Sequence, residues 1–215
     1  MRNQTITIGL AENASVTERF AAEELAKFLQ RIVNRKAKIM SLRRNFIPDF
    51  VVGRAAAETF ASSEDLDFIG EDAKEKEVFV AVERNGTVVL AGNRGRTTLY
   101  SVYHLLEKLG VRWVYPGNRG TYFPMLETLD LTSLEEHEEA DFAFRSLAFD
   151  ISFFLRTENE EAQRRWVKEI LDEVDWATKN KMNSLLLLSQ PRFDDYRNNP
   201  LETFWQKYKT EIIRA

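Results

Sequence analysis

The chain contains no cysteine, which excludes disulfides and thiolate zinc sites. Histidine is nearly absent: His104 and His137 are too few for a His-based metal site, and no metal or other cofactor is expected. The first is expected on the partly exposed side of a helix, the second in a solvated loop. No apolar run is long enough to cross a bilayer, so no membrane partner is expected. The start, MRNQTITIGL, has too short an apolar part and no cleavage site for a signal peptide, and the compartment stays open. A basic stripe is missing too. With a formal net charge of -4, the chain lacks the clustered Lys and Arg on which nucleic-acid affinity rests. No nucleophile triad or phosphate loop is visible, and Gly92-Asn93-Arg94-Gly95 lacks the spacing of a dinucleotide site.

What is present is an ordinary globular composition over 215 residues, enough for one large domain or two small ones. The most informative stretch is Ala91 to Gly117, AGNRGRTTLYSVYHLLEKLGVRWVYPG. Thr97 and Thr98 carry hydroxyls that can cap a helix start. Leu99, Val102, Leu105, Leu106 and Leu109 then share one helical face, and Gly110 stands where a left-handed stop belongs. Val111, Trp113 and Tyr115 alternate as a strand, closed by Pro116-Gly117.

Before that stretch, Thr5 to Leu10 reads as a strand. Ser15 and Glu18 form a capping box for a helix whose apolar face holds Ala21, Leu25, Phe28 and Ile32. Lys38–Leu42 and Asp49–Val52 read as strands, Ala55–Phe60 as a short helix, and Ser62–Glu75 as an acidic loop. Glu77–Arg84 and Thr87–Ala91 flank Asn85-Gly86, a strong hairpin signal. Tyr122-Phe123 and Leu129–Leu131 read as short strands. The fold class is α/β (α+β): a mixed sheet layer with two main helices over residues 1–132.

Composition changes at Ser133. SLEEHEEAD has almost nothing to bury, so 133–143 reads as an acidic, solvated linker. Beyond it, 144–215 gives strand (Phe144 to Asp150), helix (Glu160 to Asn180), strand (Ser184 to Leu188) and helix (Pro200 to Ile213). Ser184–Leu188 is nearly all apolar, the signature of a strand buried on both faces in a parallel sheet. Asp194-Asp195 is adjacent and expected to be solvated, and no pair of acids suited to catalysis stands out.

Two resemblances follow from these residues. GNRGRTTLYSVYHLLEKLGVRWVYPG resembles the last helix-strand unit of the small domain preceding the barrel in family 67 alpha-glucuronidases and family 20 hexosaminidases. FRSLAFDISFF and WATKNKMNSLLLL are similar to the first strand, first helix and second strand of the family 20 barrel, with Phe144, Arg145, Asp150, Lys181 and Asn183 at the matching positions. Ser146 replaces a Gly of that pattern, and Phe153-Phe154 an Arg-His pair, which departs from a hexosamine site. The resemblance implies the N-terminal fragment of a glycoside hydrolase: an auxiliary domain, then two of the eight strand-helix units of a barrel. It implies substrate contact by Arg145 and a site role for Asp150. The catalytic acids would lie on later strands, so this fragment alone is expected to be inactive. A carbohydrate is then the partner of the complete enzyme, and the incomplete barrel invites self-association. Trp113, Tyr115, Tyr122, Phe153 and Phe154 suit either core packing or stacking on sugar rings. The alternative function is a non-catalytic carbohydrate-binding or protein-interaction module.

Overall fold

A computed structural model of the protein describes residues 5–43, 46–70, 76–150, 159–188, 202 and 205–210. These residues form two compact units. The first holds the residues up to Arg112 and from Phe123 to Ala143; the second holds Trp113–Tyr122 and the residues from Phe144 on.

Unit 1 is built on a six-stranded mixed sheet. Its strands are β1 (Ile6–Leu10), β2 (Ala37–Ser41), β3 (Phe50–Val52), β4 (Val78–Arg84), β5 (Thr87–Gly92) and β8 (Glu135–Glu139), in the order β2-β1-β3-β5-β4-β8. The first three and β5 run parallel, and β4 is antiparallel to both β5 and β8. Helices α1 (Val16–Val33) and α4 (Gly95–Lys108) pack on each other and on the sheet. Short helices α2 (Arg54–Phe60) and α3 (Ser63–Phe68) complete the unit. Ala56, Ala57 and Ile69 meet Val51, Val78, Val80, Val82, Val89 and Ala91 in a buried cluster. Every residue of β3 and β5 is buried, as their apolar runs require.

Local signals explain most boundaries. The Ser15 and Glu18 capping box is formed and starts α1. Helix α4 begins two residues before Thr97. The Arg94 N–H donates to Thr97 Oγ1 at 2.9 Å, and the Gly92 N–H to Thr98 Oγ1 at 3.1 Å, so both hydroxyls cap as expected. Gly110, at φ 95°, supplies the left-handed stop.

Other expectations need correction. The stretch from Ser62 to Glu75 is not all loop: Ser62 and Asp65 form a second capping box, which starts α3. Leu129–Leu131 is not a strand, because Asp130 accepts from the Thr132 N–H and hydroxyl and folds the chain into a turn. The expected linker at 133–143 contains β8, the outermost strand of the sheet. The strand expected from Val111 to Tyr115 shrinks to β6 (Arg112–Trp113), paired with β7 (Thr121–Tyr122) across the 3-10 turn Asn118–Gly120.

Unit 2 is centred on β9 (Ser146–Asp150), α5 (Glu160–Lys179) and β10 (Ser184–Leu188). Strands β9 and β10 are parallel and in register from Ser146↔Ser184 to Asp150↔Leu188. Asn159 caps α5 by accepting from the N–H groups of Glu161 and Ala162. The segment Trp113–Tyr122 joins this unit, where Trp176 Nε1 donates to the Trp113 carbonyl at 2.9 Å. Residues 205–210 are helical; the rest of the helix expected at Pro200–Ile213 lies largely outside the described residues, as do Phe153-Phe154 and Asp194-Asp195.

The hairpin yields a direct test. Asn85 and Gly86 both have positive φ, 52° and 87°, the two-residue turn that matches strand twist. Space around Gly86 is open, so only backbone strain opposes a side chain there. Gly86→Val should destabilise unit 1 by about 1 kcal/mol or more, read as a lowered midpoint in urea.

Candidate functional site

The β9-β10 pair in unit 2 places the two residues singled out from sequence. A strand alternates its side chains, so Arg145, Leu147 and Phe149 share one face and Ser146, Ala148 and Asp150 the other. Phe149 packs against the cluster of Val167 and Ile170 of α5 with Tyr208, as do Trp166, Leu171 and Val174, which marks the first face as the helix side. Exposure agrees: the first three are half-buried and the second three exposed. In register, Ser184, Leu186 and Leu188 of β10 join the open face, with Leu186 and Leu188 50% and 46% exposed. The strand expected to be buried on both faces is therefore open on this one, and Leu185 on the helix side is half-buried.

Arg145 stands just before β9, on the helix side. Its Nε donates to the Lys181 carbonyl at 2.7 Å, and its backbone N–H donates to Asn183 Oδ1 at 3.0 Å. Its own carbonyl accepts from the N–H of Asn183 at 3.0 Å. Lys181 sits at φ 60°, in the left-handed turn that ends α5. Arg145, Lys181 and Asn183 thus tie the start of β9 to the entry of β10. Asp150 ends β9 on the opposite face, so the fold separates the two residues to opposite ends and faces of one strand.

Unit 1 carries two polar clusters that the sequence did not reveal, one on each face of the sheet edge. β8 pairs with β4 so that Glu135, His137 and Glu139 face the side of Val82, Val80 and Val78, and Glu136 and Glu138 the side of Ala81 and Phe79. On the first side, Asp65 is wholly buried. It accepts from Arg84 Nε at 2.8 Å and Nη2 at 2.7 Å, from the Ser62 N–H and hydroxyl, and faces His137 Nε2 at 2.9 Å. Arg84 also donates to both oxygens of Glu135. Burial works against the charged Asp65, but the bonds from Arg84, Ser62 and His137 outweigh it and hold the carboxyl at about 2. The same contacts raise Arg84, through Glu135 first and Asp65 second, and Arg84 lowers Glu135. His137, expected in a solvated loop, instead stands in a strand, with Phe68 edge-on to its ring.

On the second side, His104 Nε2 lies 3.3 Å from Glu136 Oε2 and 4.0 Å from Glu138 Oε1, while Lys108 Nζ is 2.8 Å from Glu136 Oε1. The Lys108 ammonium lowers Glu136 and is itself raised by it. His104 is partly exposed on α4, as expected. Either cluster groups a histidine with two carboxylates closely enough to hold a cation. The signal for Asp65 was Ser62-x-x-Asp65, a capping box hidden in an acidic stretch. In β8 every side chain is polar, four glutamates and a histidine, so no apolar alternation marks it as a strand.

Two solved structures share this fold. BtGH115A, a family 115 4-O-methyl-alpha-glucuronidase with specificity for decorated arabinogalactans, aligns at a TM-score of 0.56 and 14% identity, over 88% of this chain and 25% of its own. The family 84 protein CpGH84D aligns at 0.50 and 11%, over 95% of this chain and 38% of its own. The chain thus spans between a quarter and two fifths of the length of these glycoside hydrolases. At such identity the likeness is one of fold: the chain is glycoside hydrolase-like in architecture. No family model and no curated protein matches it. Among the described residues, no helix is long and apolar enough to cross a membrane.

The Asp65 cluster sets an acid limit. Its carboxyl is held at about 2, below the ordinary 3.8, so the folded state binds fewer protons than the unfolded state as pH falls. Stability from this group is complete above the ordinary value and is lost as pH drops toward the folded one. The loss should be about 2 kcal/mol by urea unfolding across that window. Asp65→Asn should remove this acid dependence. It should also cost about 3 kcal/mol at neutral pH, because Arg84 is left without its buried partner.

Proposed function

We propose that this chain is the N-terminal part of a glycoside hydrolase acting on an oligo- or polysaccharide. Residues 1–132 form the auxiliary domain, whose sheet β8 completes, and residues from 144 on open a (β/α)8 barrel. One observation carries the reading. β9 and β10 are parallel, in register and joined through α5, with an uncovered face of Ser146, Ala148, Asp150, Leu186 and Leu188 opposite the helix. That is how the first two strands of a barrel stand before the others close the interior. The fold likeness to two glycoside hydrolases supports it.

On this reading the open face turns inward and the C-terminal strand ends form the site. Asp150 ends β9 on that face, where a carboxylate accepts hydrogen bonds from sugar hydroxyls. Arg145 stands at the other end and on the helix side, so its role is to position the turn into β10. The resemblance implied substrate contact by Arg145 and a site role for Asp150; the geometry supports Asp150 at the substrate and Arg145 behind it. The general acid and its partner carboxylate would come from later strands. Family 20 and family 67 resemblances, with the family 115 neighbour, make N-acetylhexosaminides and glucuronides the first substrates to try.

The test pairs two proteins on aryl glycosides of these classes. The chain ending at Ala215 should show no turnover. The product of the same reading frame extended past Ala215 should hydrolyse one class. In it, Asp150→Asn should lower kcat/KM by about tenfold or more at unchanged stability, the loss expected for a charged hydrogen bond. Arg145→Ala should instead cost about 1–2 kcal/mol of stability. Turnover by the 215-residue chain itself, or a stop codon at its end, would overturn the proposal, and the stop codon would favour a non-catalytic module.

A further inference from the structure

The two clusters at the β8 edge have the same make-up, one histidine and two carboxylates, yet differ in what already occupies them. Around Asp65, the guanidinium of Arg84 donates to both Asp65 and Glu135. A cation is therefore already built into that cluster. Around His104, no guanidinium among the described residues bridges the carboxylates. Lys108 takes only Oε1 of Glu136, which leaves Oε2 turned to His104 Nε2. Glu138 Oε1 lies 4.0 Å from the same nitrogen.

We propose that His104, Glu136 and Glu138 form a binding site for a first-row divalent transition-metal ion, with Zn2+ as the probe, that staples β8 to α4. Donor atoms held at about 2.1 Å from one zinc ion stand roughly 3.0–3.4 Å apart. His104 and Glu136 already meet that spacing at 3.3 Å, and Glu138, 43% exposed on its side chain, is free to swing the remaining distance. The backbone that carries the donors is fixed. Glu136 and Glu138 are two apart on a strand paired to β4 through its length, and α4 is buried along its other face. Phe79 packs against the imidazole, with ring centroids 5.4 Å apart, and Lys108 orients Glu136 from behind, as outer partners of metal ligands do. One imidazole with two carboxylates suits zinc and its neighbours; calcium and magnesium prefer oxygen alone. The charges facing the site are those of Glu136, Glu138 and Lys108, which sum to an attraction for a cation.

The test is zinc titration of the whole chain by calorimetry, with thermal melts alongside. One zinc should bind per chain and raise the melting temperature with concentration. Glu138→Gln and His104→Asn should each abolish the shift; the exposed Glu138 makes the first variant safe for folding. His137→Gln, in the other cluster, should keep it. No heat and no shift at millimolar zinc, an undiminished shift in Glu138→Gln, or its loss in His137→Gln would each overturn the proposal.

Discussion

Every open sheet has two edges whose backbone groups lack strand partners, and the fold of this chain depends on how those edges are closed. In unit 1 the β4 edge is covered by β8, a strand with four glutamates and one histidine. Such a strand brings almost no apolar surface to burial. It is held by its ladder to β4 and by cations that reach it from both faces: Arg84 on one, Lys108 on the other, and Lys76 at its end. The buried Asp65 anchors the Arg84 side, which makes the sheet edge depend on one carboxylate's ionisation. An acidic outer strand also repels strands of other chains, so the edge is closed against aggregation by the same charges.

Unit 2 meets the constraint differently. Among the described residues its two long strands pair only with each other, and their face opposite α5 is uncovered. On the helix side, Phe149 and the apolar stripe of α5 provide ordinary packing, and Arg145 locks the turn between α5 and β10. A parallel pair of this kind is the repeating element of a barrel, and its open face is surface that more strands would bury. The proposed function rests on that open face together with the fold likeness, and Asp150 draws its proposed role from its end and its face of β9.

Much of this was legible in the sequence where periodicity or turn chemistry was strong. The apolar faces of α1 and α4, the Asn85-Gly86 hairpin, the Gly110 stop and the strand-helix-strand order after residue 144 are each the product of local rules. The misses share a cause. Leu134 to Glu139 has no apolar alternation because its partners are charges distant in sequence, so a stretch that looked like linker is a strand. His137 and Asp65 are 72 residues apart and meet only once the sheet is built. The parity of Arg145 and Asp150 was readable, but which face met the helix was not, since that depends on the packing of Phe149 against α5.

The central proposal is that β9-α5-β10 opens a larger barrel. Amide hydrogen exchange on the dilute 215-residue monomer tests it directly. The account predicts that β9 and β10 amides exchange at least about a hundredfold faster than those of β3 and β5, because a pair with one exposed face opens locally while the covered sheet does not. Equal protection of all four strands would contradict it.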